Sequence, residues 1–184
     1  MPTCIPDPSG ECATFFESIA PNEGRACGLD SDGRAHCWGA NEGGLLGVVG
    51  SEQLAGATPI ESDLRFSTLS MGSAGSICAI AVDGGLYCWG RNGSGQLGTG
   101  DQVARTSPER IQVDGSDRWL AVATAASYTC AIREDQQLYC WGSNGTVNAV
   151  GSSPIAGRLG LGLGSDGDDE EHRVNVLRPQ RVCF

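Results

Sequence analysis

Apolar residues alternate with small or polar residues in a short unit that the chain contains three times. In the second copy, Cys78–Gly100, this alternation predicts a strand, a tight turn, a second strand and a glycine-rich loop. The first copy is Cys27–Gly47, and the third is Cys130–Gly142, whose ending is displaced to 157–160. The copies begin 51 and 52 residues apart. A fixed period of this size is typical of repeat proteins, in which each unit buries its apolar face against its neighbours.

The two strands of each copy are predicted to form a hairpin with a three-residue turn. In the first copy the turn is 31–33, and Gly33 can adopt the left-handed conformation that such a turn needs. In the third copy Gln136 takes the place of this glycine, which makes that turn the poorest match. The resulting registers place cysteines opposite each other in all three hairpins. These pairs are Cys27 with Cys37, Cys78 with Cys88, and Cys130 with Cys140.

The alternation also assigns the two faces of the predicted sheet. In the second copy Cys78, Ile80, Leu86 and Cys88 share one side, and the residues between them share the other. Both sides are largely apolar, so we expect this sheet to be covered on both faces. Sheets stacked face to face around an axis would provide that cover, whereas sandwich sheets usually keep one polar face.

Composition narrows the class of protein. The chain has 184 residues, 40% of them hydrophobic, with 28 glycines, as expected for an all-β protein with many tight turns. Its net charge of −10 argues against nucleic acid as a partner, because a phosphate backbone requires a basic surface. No apolar run is long enough for membrane insertion. The start at Met1 lacks the pattern of a signal peptide, so a secreted parent would have lost that signal or would carry it upstream.

The cysteines are the strongest indication of compartment. Opposed cysteines in such hairpins are expected to have Cα atoms about 4.5 Å apart, which is compatible with a disulfide. We therefore predict three disulfides and a secreted or cell-surface location, with the periplasm as one option. The alternative is that the pairs are reduced thiols packed as small hydrophobic residues. The absence of a CxxC pair argues against zinc. The pairing of Cys4, Cys12 and Cys183 stays open, and an odd thiol favours a link between chains.

A short apolar strand is predicted to precede each hairpin. These lead strands are Phe15–Ala20, Phe66–Met71 and Trp119–Thr124. Prolines recur at positions 8, 59, 108 and 179, and we interpret each as the start of a unit. The whole chain, 1–184, is then one repeat domain. Its predicted parts are repeat 1 at about 8–58, repeat 2 at about 59–107, repeat 3 at about 108–178, and a closing strand at 179–184 that opens an uncompleted fourth unit.

Repeat 3 carries two insertions, Thr146–Ala156 and Asp166–His172. Both lie in connections, where repeat proteins tolerate growth and often bind partners. We predict them as the distinctive contact surface, although a solvated acidic loop is the simpler interpretation of the second. The predicted partner-binding residues are Thr146, Asn148, Asp166, Asp168, Asp169 and Glu170.

Motifs of catalysis and cofactor binding are weak in this chain. The segment 93–98 matches GxGxxG, but a further turn and Pro108 follow it where a phosphate-binding helix would have to begin. His36 takes the place of Tyr87 and Tyr139, which favours a packing role. The glycosylation sequons at Asn92 and Asn144 coincide with predicted turns. We predict no catalytic residue, no metal and no cofactor.

The ending of each copy carries a resemblance to a known family. The sequence Trp-Gly-x-Asn-x-x-Gly-x-Leu-Gly is complete at 38–47 and 89–98, and the third copy is split by its insertion. With Cys-Ala-Ile before it and a period near fifty, the chain resembles the regulator of chromosome condensation repeat family from about Pro8 to Val182. The resemblance implies β-propeller blades of four strands. The cysteine-paired form is similar to secreted or surface members found in bacteria.

This resemblance implies an all-β propeller-type fold of three four-stranded blades. Since closed propellers have 4–8 blades, the chain is expected to be a partial propeller or half of a six-bladed homodimer joined through open blade edges. The expected function is non-enzymatic recognition of a protein or a surface. The alternatives are a guanine-nucleotide-exchange-like regulator of a GTPase, as family members acting on Ran imply, and a structural segment of a larger envelope or adhesion protein. The aromatic residues of the copies are expected in the core, with a binding surface as the second interpretation: Trp38, Trp89, Trp141, Tyr87 and Tyr139.

Overall fold

The computed structural model describes residues 15–145, 159–161 and 175–182. In this part of the chain twelve strands form three four-stranded antiparallel sheets, called blades 1, 2 and 3 in chain order. The prediction of an all-β repeat fold with three four-stranded blades is therefore confirmed. None of the helices in these ranges has the length and apolar character needed to span a bilayer.

Each blade takes its four strands in sequence order across the sheet. Blade 1 contains β1 (Phe16–Asn22), β2 (Arg25–Asp30), β3 (Ala35–Ala40) and β4 (Gln53–Pro59), with a short 3-10 turn at Glu42–Gly44. Blade 2 contains β5 (Phe66–Met71), β6 (Ser76–Ala81), β7 (Leu86–Gly90) and β8 (Arg105–Arg110). Blade 3 contains β9 (Trp119–Thr124), β10 (Tyr128–Arg133), β11 (Leu138–Gly142) and β12 (Val176–Arg181).

The central hairpin of each blade has the register that its turn predicts. Cys27 pairs with Cys37, and the corresponding cysteines pair in blades 2 and 3. Gly33 and Gly84 adopt positive φ angles of 76° and 90° in their turns. In blade 3 Gln136 adopts φ 64°, so the turn keeps its shape despite the side chain. The predicted lead strands are also confirmed, as β1, β5 and β9.

The proline-containing strands differ from the expectation. Each is the outer strand of the preceding blade and not the start of the next one: Pro59 ends β4, Pro108 lies in β8 and Pro179 lies in β12. Strand β12 pairs with β11, with Tyr139 opposite Arg181, so the prediction that it opens a fourth unit was wrong. The physical reason is that proline lacks an N–H and is tolerated on edge strands, which the fourth strand of each blade is.

The blades stack face to face, and side-chain hydrogen bonds link their first strands. The side-chain amide of Asn22 in β1 donates to the backbone carbonyl of Gly72 after β5 at 2.6 Å. The hydroxyls of Ser70 in β5 and Thr124 in β9 are 2.9 Å apart. Every residue of β6 is buried, because blade 2 is covered on both faces as predicted. Blades 1 and 3 each have one face covered by blade 2.

Two kinds of face alternate through this stack. The disulfide face of a blade carries its cysteine pair, and the tryptophan face is the opposite side of the same sheet. The disulfide face of blade 1 packs against the tryptophan face of blade 2, and the disulfide face of blade 2 packs against the tryptophan face of blade 3. In the described part of the chain, this order leaves the tryptophan face of blade 1 and the disulfide face of blade 3 as the two ends.

Candidate functional site

The tryptophan faces of the three blades carry equivalent groups of rings. Strand register places Phe16 opposite Asp30, Phe66 opposite Ala81, and Trp119 opposite Arg133, which are corresponding positions. Each of these leading rings contacts the tryptophan of its own hairpin, with centroids 5.7, 5.9 and 6.4 Å apart in blades 1, 2 and 3. The repeat therefore builds one aromatic arrangement three times.

Burial separates the first copy of this arrangement from the other two. Phe66 and Trp89 in blade 2 are 2% and 0% exposed, and the equivalent residues of blade 3 are similarly buried. In blade 1 Phe16 is 39% exposed and Ile19 is 61% exposed, and Trp38 is only partly buried. The difference arises because the preceding blade covers the face in blades 2 and 3. The prediction that the tryptophans lie in the core is confirmed for Trp89 and Trp141, whereas Trp38 lies at a surface.

The indole N–H groups follow the same division. Trp89 Nε1 donates to the carbonyl of Leu46 at 3.3 Å, and Trp141 Nε1 donates to the carbonyl of Gln96 at 2.9 Å. Both acceptors belong to the glycine-rich loop of the preceding blade. Within residues 15–145, 159–161 and 175–182, no acceptor is hydrogen-bonded to the indole of Trp38. A protein surface bearing a carbonyl at this position would complete the arrangement.

A polar pair lies beside the exposed rings of blade 1. His36 occupies the position that Tyr87 and Tyr139 occupy in the other blades, and its Nε2 is 2.8 Å from Asp30 Oδ2. Burial tends to raise the pKa of Asp30, but backbone N–H donation from Arg34 and the His36 contact hold that pKa below its usual value. His36 also meets the edge of the Phe16 ring, with centroids 5.6 Å apart. His36 thus has a packing and hydrogen-bonding role, as its place in the repeat indicates.

The opposite end of the stack is the disulfide face of blade 3. Ile132 is 38% exposed there, whereas the equivalent Ile80 in blade 2 and Leu29 in blade 1 are each 3% exposed. Leu138 and Cys130 are only partly buried. This face therefore has the same apolar composition as the covered faces, but in the described residues no following blade lies over it.

The six predicted cysteines form three disulfides in the structure, with Cα separations of 4.1 Å. Cys27–Cys37 and Cys78–Cys88 lie inside the stack, and Cys130–Cys140 lies at its end. The predicted partner-binding residues Thr146, Asn148, Asp166, Asp168, Asp169 and Glu170 lie outside the described residues, as do Cys4, Cys12 and Cys183.

The asparagines of the repeated motif have a structural role. Asn41 Oδ1 accepts the backbone N–H of Leu46 at 2.9 Å, and Asn92 Oδ1 accepts that of Leu97 at 2.9 Å. In blade 3 Asn144 Oδ1 accepts the N–H of Leu159 at 3.3 Å, so the loop closes across its insertion. Asn92 and Asn144 are 1% and 3% exposed, so their sequons are part of the loop structure. Within the described residues, no group of three His, Cys, Asp or Glu side chains is placed to hold a metal ion.

The sequence did not single out Phe16 and Ile19 as surface residues, and for Trp38 a binding surface was only the second interpretation after the core. Their residue types match those of buried equivalents, and the alternation along the strands is the same. The available signal was position: they belong to the first of the three copies in this sequence. In blades 2 and 3 the preceding blade buries this face, and blade 1 is the one whose tryptophan face no other described blade covers.

Comparison with known proteins supports the repeat assignment. Two family models described as regulator of chromosome condensation (RCC1) repeat match residues 83–132 and 67–96. The Arabidopsis thaliana protein RUG3, a mitochondrial RCC1 domain-containing protein, is 31% identical over 140 residues, covering 74% of this chain and 29% of that protein. The ultraviolet-B receptor UVR8 of the same plant is 29% identical over 129 residues, covering 69% of this chain and 29% of the receptor. The chain thus spans less than a third of these relatives.

Solved structures agree on the fold. Human WBSCR16 superposes with a TM-score of 0.72 at 18% identity, over 94% of this chain and 41% of that one. Prp20p of Saccharomyces cerevisiae gives a TM-score of 0.67 at 20% identity, over 94% and 40% of the two chains. Both likenesses extend through all three blades. These likenesses concern the fold. The two family models and the curated relatives, together with the motif at 38–47 and 89–98, show that the chain belongs to the regulator of chromosome condensation (RCC1) repeat family.

Proposed function

We propose that this chain is a non-enzymatic protein-recognition module built of propeller repeats. The observation that carries the proposal is the uncovered tryptophan face of blade 1, where Phe16 and Ile19 are exposed and Trp38 is partly buried. The corresponding faces of blades 2 and 3 are both covered by protein within the same chain. An apolar, aromatic face with this composition has the character of a protein-binding surface.

Relatives and structural neighbours give the proposal its context. One solved structure is of yeast RCC1 (Prp20) bound to Kap60, and another concerns the binding of Prp20p to Gsp1p and histones. Those partners belong to those proteins. We infer for this chain only the general mode, in which propeller repeats present a rigid surface to another protein. The net charge of −10 argues against nucleic acid as the target.

The insertions of repeat 3 supply a second contact surface in this proposal. They add Thr146–Ala156 and the acidic Asp166–His172 to connections of a scaffold held by disulfides. Acidic side chains favour a partner with a basic patch, since complementary charge speeds encounter and excludes like-charged proteins. The expected partner is thus a folded protein with an apolar patch, a basic patch or both.

We further propose a secreted or cell-surface location, including the periplasm. Three disulfides in a chain of this size favour an oxidising compartment. Alkylation of the native protein in cell extracts, followed by mass spectrometry, tests this directly. Six oxidised cysteines in the material as isolated support the proposal, and free thiols at all three pairs would overturn it.

Binding of an identified partner, reconstituted from two purified proteins, tests the recognition function. The variants are a deletion of both insertions, Ile19→Glu on the tryptophan face, and Val103→Glu as a control with the same 61% exposure away from both ends of the stack. We expect a loss of at least about tenfold in affinity for the deletion or for Ile19→Glu, and none for the control. Wild-type affinity in both test variants would refute these surfaces as the binding sites.

The second candidate is a structural segment of a larger envelope or adhesion protein. It is favoured by the fact that the chain covers only 41% and 40% of the solved structures it matches. A parent gene that encodes several further repeats would support it. The exchange-factor alternative rests on fold likeness alone, and it requires that the chain accelerate release of labelled guanine nucleotide from a purified GTPase.

A further inference from the structure

The junctions inside the stack show how one blade receives the next. At the first junction, the indole of Trp89 lies against Gly47, where a built Cβ would be 3.4 Å from Trp89 Nε1. At the second junction, a Cβ built on Gly98 would be 2.7 Å from Trp141 Nε1. Both glycines are buried, and their loops also supply the carbonyl that accepts the indole N–H. At each junction a tryptophan therefore packs on a loop glycine of the preceding blade, Trp89 on Gly47 and Trp141 on Gly98. We call this glycine and the residues around it the indole seat.

Blade 3 contains the same seat without a tryptophan in it. Gly160 follows Leu159, as Gly47 follows Leu46 and Gly98 follows Leu97. Among described residues, a Cβ built on Gly160 would have only Val182 within 4 Å, at 3.3 Å. Unlike its two counterparts, Gly160 is exposed.

The floor of this seat is also formed as in the other blades. The backbone N–H of Val182 donates to the carbonyl of Leu138 at 2.8 Å. Ile60 and Ile111 make the same bond in blades 1 and 2, to Ala35 and Leu86. Val182 and Leu159 are 5% and 1% exposed, so this chain forms the apolar floor of the seat without a partner.

The described part of the chain thus has an empty indole seat at one end and an unseated indole, Trp38, at the other. We propose that a second copy of this chain fills both: Trp38 of each copy docks on Gly160 of the other. The contact is head-to-tail, and two such contacts close a ring of six blades with a two-fold axis. Six blades lie within the 4–8 range of closed propellers.

Apolar residues around the seat have the positions that the internal junctions use. Ile19 corresponds to Leu69, and Ile132 corresponds to Leu29, by strand register. Leu29 and Leu69 belong to the same core between blades 1 and 2. In the closed ring, Ile19 of one copy and Ile132 of the other would lie in the same apolar core, between blade 1 of the first copy and blade 3 of the second. This proposal rests on the proposed function, because it names the protein that covers the tryptophan face.

Sedimentation velocity on the intact chain over about 1 to 100 µM tests the association, with acrylamide quenching of tryptophan fluorescence on the same samples. Trp89, Trp119 and Trp141 are 0%, 3% and 0% exposed, so Trp38 dominates the quenchable signal. At the higher concentrations we expect a sedimenting mass of twice the 19.1 kDa chain mass. Acrylamide quenching of the Trp38 fluorescence should fall as the dimer forms. Ile19→Glu and Ile132→Glu should each weaken association at least about tenfold, and Val103→Glu should not.

A charge-reversal pair tests whether misfolding explains the loss of association in the two glutamate variants. The double variant Ile19→Glu with Ile132→Lys places opposite charges in each junction, so it should regain part of the association that either glutamate variant loses. A monomer at all concentrations, a Trp38 that is already protected in the monomer, or growth beyond the dimer would each overturn the closed ring. If self-association fails but a purified partner still protects Trp38 from quenching, the recognition function stands and only the second copy is excluded.

Discussion

Blades 1 and 2 have the same hairpin register, the same disulfide and the same loop motif, yet their tryptophan faces have different environments. In blade 2 the face is covered by blade 1, and Phe66 is 2% exposed. In blade 1 the equivalent Phe16 is 39% exposed. The comparison shows that a repeat specifies the shape of a face, whereas the place of the blade in the stack determines whether that face is core or binding surface.

The difference in burial between blades 1 and 2 is tested most directly by truncating the same residue type in both blades. Phe66→Ala removes a buried ring and should lower the free energy of unfolding by about 3–5 kcal/mol. Phe16→Ala should cost about 1 kcal/mol at concentrations where the chain is monomeric, because part of its surface already faces water. Urea unfolding of both variants measures the difference. Equal losses would mean that the face of blade 1 is as well covered as that of blade 2.

The tryptophan faces of blades 1 and 2 differ in burial, but their glycine-rich loops should contribute equally to the free energy of unfolding. Asn92→Ala leaves the N–H of Leu97 without its acceptor and should cost about 2 kcal/mol of unfolding free energy. Asn41→Ala removes the same bond to Leu46 and should cost the same within about 0.5 kcal/mol. Thermal and urea unfolding of the pair test this. A clear inequality would show that the loops, and not only the faces, depend on position in the stack.

Chemical reduction should distinguish the disulfides by their place in the stack. Cys78 and Cys88 are both 0% exposed, whereas Cys130 at the end face is partly exposed. A thiol reductant should open Cys130–Cys140 about tenfold faster than Cys78–Cys88, since exchange requires access to sulfur. Timed alkylation with peptide mass spectrometry gives both rates. Dimer formation should slow the first rate and leave the second unchanged.

The smallest expected effect is a pH dependence confined to the loop of blade 2. The Arg105 guanidinium, with the Val103 N–H, lowers the pKa of Asp101 to about 2. Because this pKa is below the unfolded value, the stabilisation is present above about pH 4 and disappears as pH falls through about 2. Asp101→Asn should therefore cost about 1 kcal/mol at neutral pH, after allowance for solvent screening, and much less at pH 2, where the folded-state carboxyl is half protonated. Urea midpoints at both pH values check the sign, which a constant difference would contradict.

Local geometry explains most of what could be predicted. The turn at 31–33 determines that Cys27 faces Cys37, because a two-stranded register follows from the turn that closes it. The lead strand Phe66–Met71 was predicted with its observed bounds, since it precedes the second hairpin as the other two lead strands precede theirs. The roles of Asn41 and Asn92 followed from their place in the loop motif. None of these inferences needs contacts between distant parts of the chain.

The predictions that were wrong concern residues whose role depends on contacts with distant parts of the chain. Pro59, Pro108 and Pro179 recur with the period of the repeat, and periodicity alone does not say whether a strand closes one sheet or opens the next. Pairing of β12 with β11 decides it. Likewise, Trp38 and Trp89 are the same residue in the same motif, and only the presence of a preceding blade separates them.

The sequence by itself determined the three hairpins, their cysteine pairs and the asparagine-held loops, because these depend on contacts within about twenty residues. Tertiary structure alone decided which sheet takes each proline strand, and which faces of the stack stay open. It also showed that the open tryptophan face, at Trp38, and the unfilled seat, at Gly160, are complementary. The physical reason is that burial is a property of neighbouring blades, and a repeated motif has the same residues whether or not a neighbour is there.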